Sequence, residues 1–326
     1  MTDTVLVTGA GGFIGGHLAA TLVESGERVR AFLRYNSRGA RGSLDWHDAC
    51  VVAEMEIVFG DLRDVESVSG AMAGVDVVYH LGAQVAIPYS YVNGRDFFET
   101  NVLGTLNVVE SALRAGVRRV VHTSTSEVYG TAQSVPMGER HPLEAQSPYA
   151  ASKVGADKLT DAYVRSHGLP AVIVRPFNTY GPRQSSRAVV PTIVTQALAG
   201  DYVRLGELDT RRDLTFVSDT VSGFIAAAAS DEALGRTVHL GTGQDASVRE
   251  IVTLVGEIVG RDLTVDVDAH RLRPPDSEVQ RLLSDPALAR RLIGWSPTVG
   301  LREGLARTVD WIADHLDQYR VGQYAT

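Results

Sequence analysis

The chain has 326 residues, of which 44% are hydrophobic and 21% charged, a composition typical of a globular protein with one large core or two fused lobes. Its net charge of −8 argues against a nucleic-acid partner, because phosphate binding requires concentrated lysine and arginine. The single cysteine, Cys50, excludes an internal disulfide, and no His, Cys or carboxylate cluster has metal-site spacing. No apolar run reaches the ~20 residues of a membrane-spanning helix. The first predicted strand leaves no room for a signal peptide before it, so we expect a cytoplasmic protein.

Short apolar runs alternate with helical patterns in the first half of the chain. Residues 4–26 predict a buried strand, a glycine turn and a helix, and further strands are predicted at 28–33, 56–59, 75–81, 119–123 and 171–174. The clearest helices are 96–115 and 147–167, the second with Ser147 as N-cap, Pro148 in its first turn and Gly168 at its end. Such alternation implies right-handed crossovers, so we predict an α/β fold with a doubly wound parallel sheet.

After residue 174 the pattern is less regular, and prolines and glycines predict loops and short elements. Residues 215–230 and 237–243 predict a helix and a strand that rejoin the sheet, and 301–315 predict an amphipathic final helix. We therefore divide the chain into a first lobe of residues 1–175 plus 213–243. Residues 176–212 and 244–326 are expected to form a smaller C-terminal lobe.

Three glycines, Gly9, Gly12 and Gly15, lie between the first strand and the first helix. This spacing is typical of a dinucleotide-binding turn, in which glycine allows the tight turn, the close approach of a pyrophosphate and the packing of helix on strand. The anion would lie at the helix N-terminus. A connection that only needs small residues is the alternative, but the strand–turn–helix context favours binding.

The acidic residue that usually binds the adenosine ribose is absent after the second strand, where Arg34 stands instead. An arginine can pair with a 2′-phosphate, so the sequence favours NADP+ over NAD+, with Ser37 and Arg38 as possible helpers. The alternative is that both arginines are solvated surface charges. Asp61 and Leu62 are candidates to flank the adenine ring, although Asp61 could equally cap a helix.

Tyr149 and Lys153 are four residues apart, so they share a face of the predicted helix 147–167. An ammonium beside a phenol favours the phenolate and should lower the pKa of Tyr149, which would let it take a proton from a hydroxyl. Ser124, Thr125 and Glu127 follow strand 119–123, at the carboxyl edge where open α/β sheets bind ligands.

The chain resembles the extended short-chain dehydrogenase/reductases of the nucleotide-sugar epimerase/dehydratase group. The matching stretches are TGAGGFIG, GDLRD, HLGAQ, TNVLGT, STSEVYG, YAASK, RPFNTYGPRQ, RRDLTFVSD and RPPDSEVQRLLSD. Within this group, the segments YNS, IPYSY, STSEVYG and SSRAVVPTI most resemble the GDP-N-acetylglucosamine 4,6-dehydratases of the legionaminic-acid pathway.

The resemblance implies a 4,6-dehydratase that oxidises C4 of the sugar, eliminates water across C5–C6 and returns hydride to C6, giving a 4-keto-6-deoxy sugar. Tyr149 would be the base and Lys153 its partner, while Thr125 would hold the 4-oxygen. Glu127 would remove the C5 proton. Ser126 stands where dTDP-glucose dehydratases have an aspartate, which leaves open whether Glu127 also protonates the leaving hydroxyl.

The resemblance also implies two sets of binding residues. The NAD(P)+ set is Gly9, Gly12, Phe13, Ile14, Gly15, Arg34, Asp61, Leu62, Leu81, Ala83, Tyr149 and Lys153, and the cofactor would stay bound and be recycled. The set for a nucleotide-diphosphate sugar, a GDP- or UDP-hexose, is Ser124, Asn178, Arg187, Val190, Arg212, Arg273 and Asp276. For each arginine the alternative is an ordinary surface ion pair. Residues 87–91 and the loop 83–87 are expected to line the sugar pocket, and helices 96–115 and 147–167 are expected to pair across a homodimer as a four-helix bundle.

Other reactions remain open from the sequence. A UDP-glucuronate decarboxylase also carries STSEVYG, but the connection from Glu127 to Tyr149 is short and offers only Arg140 and His141 as basic residues. A 4-epimerase would not need Glu127, and a 5,6-dehydratase would stop at the alkene. From a different class, an NAD(P)-sensing regulator usually lacks one member of the pair formed here by Tyr149 and Lys153.

Overall fold

The computed structural model describes residues 2–322, so residue 1 of the predicted first lobe and residues 323–326 of the second lie outside the described residues. The elements of the first 176 residues are β1 (Thr4–Thr8), α1 (Phe13–Glu24), β2 (Arg28–Arg34), α2 (Ala49–Ala53), β3 (Glu56–Gly60), α3 (Val65–Met72), β4 (Val77–His80), α4 (Ile87–Val92), α5 (Gly94–Phe98), α6 (Gly104–Ala115), β5 (Arg119–Thr123), α7 (Pro148–His167) and β6 (Ala171–Pro176). They are followed by β7 (Asn178–Tyr180), α8 (Val189–Ala199), β8 (Tyr202–Leu205), β9 (Arg211–Phe216), α9 (Val217–Ala229), β10 (Thr237–Leu240), β11 (Asp245–Ser247), α10 (Val248–Val259), β12 (Thr264–Val267), β13 (Arg281–Leu282), α11 (Ala287–Ile293) and α12 (Leu301–Asp314).

Seven parallel strands form the central sheet in the order β3-β2-β1-β4-β5-β6-β10. The chain begins in the middle of the sheet and the strand order reverses between β1 and β4, which opens a crevice at their carboxyl ends. The doubly wound parallel sheet predicted from the sequence is therefore confirmed. Strand β10 pairs with β6 after the chain has passed through the second lobe, as the segment 237–243 predicts.

Helix α7 follows the predicted bounds closely. The Ser147 hydroxyl accepts a hydrogen bond from the backbone N–H of Ala150, and Gly168 ends the helix in the left-handed conformation with φ 68°. The predicted helix 96–115 differs, because a π-turn at Glu99–Leu103 separates α5 from α6. A π-turn inserts one extra residue into the helix, and here it turns the side chain of Asn101 into the protein.

The second lobe is more regular than the sequence predicts. Helix α8 forms although it contains Pro191, because this proline lies in the first turn, where a backbone N–H has no intrahelical acceptor. Helix α10 begins with a capping box in which Ser247 and Glu250 each bond the backbone of the other. Both helices support two small sheets, one built from β11, β9, β13 and β7 and the other from β8 and β12.

One large apolar core extends from the sheet into the second lobe. It includes Val7 and Val174 of the central sheet, Ile193 of α8, Phe216 of β9 and Ile312 of α12. A second cluster fills the other face of the sheet, beneath α3 and α6. Within residues 2–322, no helix combines the length and apolar character that crossing a membrane requires.

Candidate active site

The carboxyl end of β5 and the first turns of α7 bring the predicted catalytic residues together. Thr125 is extended and its hydroxyl accepts a 3.2 Å hydrogen bond from the backbone N–H of Glu127, which starts the short 3-10 turn Ser126–Tyr129. The Tyr149 phenol forms a hydrogen bond with Thr125, and the charge of Glu127 raises the pKa of this phenol. Glu127 is 9% exposed and Ser126 is buried beside it. Glu127 thus faces the reactive side chains rather than solvent.

The electrostatics of Tyr149 and Lys153 differ from the sequence prediction. Burial raises the pKa of Tyr149, and the hydrogen bond from Thr125 offsets this only in part. Lys153 donates a 2.6 Å hydrogen bond to the backbone carbonyl of Thr123. Burial lowers the pKa of Lys153 to about 8, opposed by the charge of Asp157. The prediction that Lys153 lowers the pKa of Tyr149 is therefore wrong for the protein chain by itself, because the desolvation of a fully buried phenol dominates.

Beneath this edge lies a buried polar network centred on Asp157. Its carboxylate accepts hydrogen bonds from the Ser124 hydroxyl at 2.6 Å and from Arg175 at 2.8 Å, and His122 Nε2 lies 3.3 Å away. Burial opposes its charge, but the contacts with His122, Arg175 and Ser124 outweigh burial and lower the pKa of Asp157 to about 2. The hydroxyl of Ser124, which the sequence assigns to the substrate, is therefore occupied by this network.

Asn101 anchors the loop that follows β4 to α7. Its amide nitrogen donates to the carbonyl of Gln84 at 3.0 Å and to the Ser152 hydroxyl at 2.9 Å, while its oxygen accepts from the Gln84 N–H at 2.8 Å. This residue is not among the predicted site residues. Its signal was the TNVLGT stretch, whose asparagine is a poor helix former inside an otherwise helical pattern.

The glycine turn has the geometry that a bound pyrophosphate requires. Gly9 has φ 73°, and a Cβ atom there would lie 2.7 Å from the backbone nitrogen of Gly82. A Cβ at Gly15 would lie 2.3 Å from the carbonyl oxygen of Gly9. Gly12 precedes α1 without a side-chain cap, so the first-turn N–H groups, including those of Phe13 and Ile14, have no intrahelical acceptor. The residues therefore fit the pyrophosphate of a dinucleotide.

A segment that the sequence analysis missed packs on this turn. The backbone N–H of Ser43 donates to the carbonyl of Gly11 at 2.8 Å, and its hydroxyl donates to that of Gly12 at 2.6 Å. Gly42 has φ 68°, and a Cβ there would lie 2.3 Å from the Gly11 oxygen. Ser37, the helper suggested by the sequence, is exposed.

The expected adenosine end of the site lies at the carboxyl ends of β2, β3 and β4. Arg34 is exposed, and no ion pair of its guanidinium occurs among residues 2–322. The hydrogen bond from Arg63 lowers the pKa of Asp61, and the charge of Arg34 adds to this shift. Leu62 packs closely on Gly82, since a Cβ atom at Gly82 would lie 2.7 Å from the Leu62 side chain. Leu81 and Ala83 are half-buried beside it.

Two arginines of the predicted substrate set converge on Glu278, a residue that the sequence analysis did not single out. Arg212 and Arg273 approach one carboxylate oxygen at 3.4 and 3.5 Å. Burial lowers the pKa of Arg212, and the carboxylates of Glu127 and Glu278 oppose this shift. Arg212 therefore lies within electrostatic reach of Glu127, which joins the second lobe to the catalytic edge.

The remaining predicted substrate residues are more dispersed. Val190 is 1% exposed and belongs to the apolar core, so its side chain is unavailable to a ligand. The buried oxygen of the Asn178 amide has no hydrogen-bond partner among residues 2–322. Arg187 and Asp276 are exposed, and the carbonyl of Asp276 accepts a hydrogen bond from Gln146 at 2.9 Å.

Helix α4, which contains the IPYSY segment, contacts both parts of the site. The Tyr91 hydroxyl lies 2.7 Å from the hydroxyl of Ser277, which itself donates to the backbone carbonyl of Gln146. Tyr89 packs on Phe97, whose ring lies 6.2 Å from that of Tyr149. Tyr91 therefore links α4 to Ser277, just after the RPPD segment, whereas the Tyr89 ring packs on Phe97 and its hydroxyl accepts a hydrogen bond from Asn93.

The sequence of residues 6–308 matches the model of the family described as GDP-mannose 4,6 dehydratase. The chain belongs to this family. It is 33% identical to a dTDP-glucose 4,6-dehydratase of Actinoplanes sp. and 36% identical to a UDP-glucose 4-epimerase of Mycolicibacterium smegmatis, each over 94% of this chain and 97% of the relative. Its structure is similar to that of DesIV, a dTDP-glucose 4,6-dehydratase from Streptomyces venezuelae solved with NAD and TYD bound. The TM-score is 0.84 at 31% identity, covering 97% of this chain and 99% of that one.

Membership of the GDP-mannose 4,6-dehydratase family confirms the resemblance drawn from the sequence motifs, and the chain is an enzyme. NAD(P) is the cofactor expected of this family, and the glycine turn fits it. No group of three His, Cys, Asp or Glu side chains within residues 2–322 could hold a metal ion. His80 and His122 are buried core residues, and His80 forms hydrogen bonds with Thr8 and Thr105.

Proposed function

We propose that this enzyme is a nucleotide-sugar 4,6-dehydratase. The observation that carries the proposal is the position of Glu127, which is almost fully buried and electrostatically coupled to both Tyr149 and Arg212. Elimination needs a second base besides Tyr149 at the reacting face, because the C5 proton of a 4-keto sugar must be removed, and the carboxylate of Glu127 can be that base. Several relatives with dehydratase names, among them one from Streptomyces antibioticus at 34% identity, support this assignment.

The chain's own groups support each proton transfer. The Thr125 hydroxyl holds the 4-oxygen of the sugar. Tyr149, which is hydrogen-bonded to Thr125, takes the proton from the 4-oxygen. When bound, the nicotinamide supplies the acceptor and donor of hydride and a positive charge that favours an ionised phenol. Glu127 then removes the C5 proton and returns it to the leaving hydroxyl at C6, since Ser126 has no acidic proton to give. Water leaves, and the double bond forms between C5 and C6. The return of hydride to C6 and of a proton to C5, equivalent to the one that Tyr149 took from the 4-oxygen, then gives the 4-keto-6-deoxy sugar.

The proposed diphosphate contacts come from the second lobe. The fork of Arg212 suits a phosphate oxygen pair, and Arg273 lies next to it through Glu278. We infer a GDP- or UDP-hexose as substrate, which the resemblance of the segments YNS, IPYSY, STSEVYG and SSRAVVPTI to GDP-N-acetylglucosamine dehydratases supports. Purified enzyme incubated with GDP-, UDP- and dTDP-hexoses, followed by mass spectrometry, tests both parts. Loss of one water from a single nucleotide sugar supports the proposal, and an unchanged mass throughout contradicts it.

The same experiment separates the competing reactions. Loss of carbon dioxide from UDP-glucuronate would identify a decarboxylase, a name borne by a relative from Xenopus tropicalis at 30% identity. Arg140 and His141, the basic residues that such a reaction could use, line a cavity that contains neither Glu127 nor Tyr149. Epimerisation leaves the mass unchanged, so a changed sugar configuration in the NMR spectrum of the same incubation would identify a 4-epimerase and leave Glu127 without a role.

We also infer a preference for NADP+ and a homodimer in the cytoplasm. The exposed guanidinium of Arg34 supports the cofactor preference, and Arg34→Ala should reduce the ratio of NADP+ to NAD+ affinity about tenfold. Phe98 and Leu103 are 45% and 51% exposed on the helical segment 94–115, which supports pairing of this face across a dimer. Sedimentation should give a dimer mass for the wild type and a monomer mass for Leu103→Glu.

A further inference from the structure

A cavity of about 1090 Å³ opens beside the C-terminal half of α7. Its walls are the connection 138–143, one flank of α7, the strands β6 and β10 near the sheet edge, and α11. Thr125, Glu127, Tyr149, Lys153 and Arg212 are not among its lining residues. It is large enough for a ligand of nucleotide size.

The charge of this cavity is opposite in sign to that of the chain. Six cationic side chains line it against four carboxylates, although the whole chain has a net charge of −8. The cations are Arg140, Lys158, Arg165, Arg175, Arg236 and Arg291. The lining therefore concentrates positive charge in one concave place, which attracts anions.

Most of these cations have no carboxylate partner. Arg165 pairs with Asp161 at 3.1 Å, and Arg175 pairs with Asp157 at 2.8 Å. The four others are exposed, and within residues 2–322 none of them forms an ion pair; they are Arg140, Lys158, Arg236 and Arg291. Two carboxylates, Glu139 and Asp285, remain in the lining, so an excess of two positive charges is available to a ligand.

The floor of the cavity is a fixed ion pair. Arg175 is 5% exposed and is held by hydrogen bonds to the Tyr129 hydroxyl at 2.6 Å and to Asp157. Because Asp157 balances the charge of Arg175, the four exposed cations at the walls supply the charge for a bound anion. Apolar side chains of Pro142, Leu143 and Leu288 also line the walls, and these suit the uncharged part of a ligand.

We propose that this cavity is a second ligand site, separate from the active site, and that it binds a small metabolite carrying a phosphate or diphosphate group. Arginine forks match phosphate oxygens in pairs, and the excess of two charges matches a phosphate dianion. The same helix α7 carries Tyr149 and Lys153 at one end and Lys158 and Arg165 further along, so the two sites share one rigid element.

In the test, inorganic pyrophosphate is titrated into the full-length enzyme in a calorimeter. The enzyme is first saturated with NADP+ and a nucleoside diphosphate. Filling the active site first removes pyrophosphate binding at the glycine turn and at Arg212. We expect one binding event per chain that weakens as salt is raised. The double variant Arg236→Ala/Arg291→Ala should bind pyrophosphate about tenfold more weakly, because it loses two exposed arginines that would pair with the ligand.

A matched control removes two exposed arginines that do not line the cavity, Arg28→Ala/Arg320→Ala. This pair carries the same change of net charge and should bind as the wild type does. Equal weakening in both double variants would mean a general charge effect and would overturn the proposal. So would the absence of any binding event once the active site is filled.

Discussion

Two carboxylates, the buried Asp157 beneath the catalytic edge and the half-buried Glu278 in the second lobe, each face arginine, but their contacts differ. Asp157 accepts hydrogen bonds of 2.6 and 2.8 Å from Ser124 and Arg175. Glu278 meets two guanidinium groups through one oxygen at 3.4 and 3.5 Å, and burial raises its pKa despite them. Short contacts suit a region that must hold reacting groups in place, whereas long contacts leave the arginines free to bind a phosphate.

The largest effect is expected at the edge where the two regions meet. Glu127→Gln removes the charge of the carboxylate without changing its size, and dehydration should slow 100- to 10,000-fold, the usual contribution of a general acid or base. Mass spectrometry of the product over time measures this rate. The control is Glu144→Gln, an exposed carboxylate in the connection before α7. A Glu127→Gln enzyme within tenfold of the wild-type rate would remove Glu127 from the mechanism.

Breaking the tight network should cost stability rather than one chemical step. Asp157→Asn leaves Arg175 buried without its counter-charge, and we expect the free energy of unfolding to fall by about 3–5 kcal/mol. Asp161→Asn, one turn further along α7, breaks an exposed pair with Arg165 and should cost about 0.5 kcal/mol. Denaturant unfolding compares them. Equal midpoints for the two variants would contradict the contrast between buried and exposed pairs.

Lys153 should show the opposite effect on stability. Its pKa, lowered from 10.5 to about 8 by burial, corresponds to roughly 3 kcal/mol of strain in the protonated form. Lys153→Met removes this strain and loses one hydrogen bond, so at pH 7 the inactive variant should be about 2 kcal/mol more stable than the wild type.

The pH dependence of this difference has a defined sign. Between pH 8 and 10.5 the unfolded wild-type chain holds a proton on Lys153 that the folded chain has released, so wild-type stability rises with pH across that window. The advantage of Lys153→Met should shrink accordingly when unfolding is measured at pH 7 and at pH 9.5. An advantage that stays constant with pH would show that packing, not charge, is responsible.

The smallest effect is expected in the loosely held region. Arg212→Lys keeps the charge but loses the planar fork, so the KM for the nucleotide sugar should rise about tenfold with a smaller change in kcat. The control is Arg211→Lys. Arg211 is the neighbour of Arg212 on β9, but it pairs with Asp245 at 2.9 Å. Steady-state kinetics distinguishes them, and an equal KM in both variants would argue against phosphate binding by Arg212.

The sequence predicts the first lobe well because local signals and the tertiary structure agree there. The bounds of β5 and the cap of α7 follow from residue patterns that packing does not override. The glycine turn is recognisable for the same reason, since its chemistry lies within seven consecutive residues. Glu127 could be placed because it follows a strand directly.

Other features depend on contacts between distant segments. Gly42 and Ser43 contact the glycine turn only because the chain after β2 folds back on this turn. No local sequence pattern predicts that contact. Glu278 gains its importance from Arg212, which is 66 residues away in the chain. The pKa of Tyr149 shifts upward because the phenol is completely buried. The spacing to Lys153 shows only that the two residues share a helix face.

The apolar core that joins the sheet to α8, β9 and α12 has a consequence for engineering. Neither lobe keeps its interior if the chain is divided after β6, because Val174 and Ile193 belong to one packed cluster. We expect a single cooperative unfolding transition, and fragments cut at this boundary should aggregate when expressed alone. A chimera that takes its second lobe from a relative would therefore need compatible side chains on the sheet as well as in the transplanted helices.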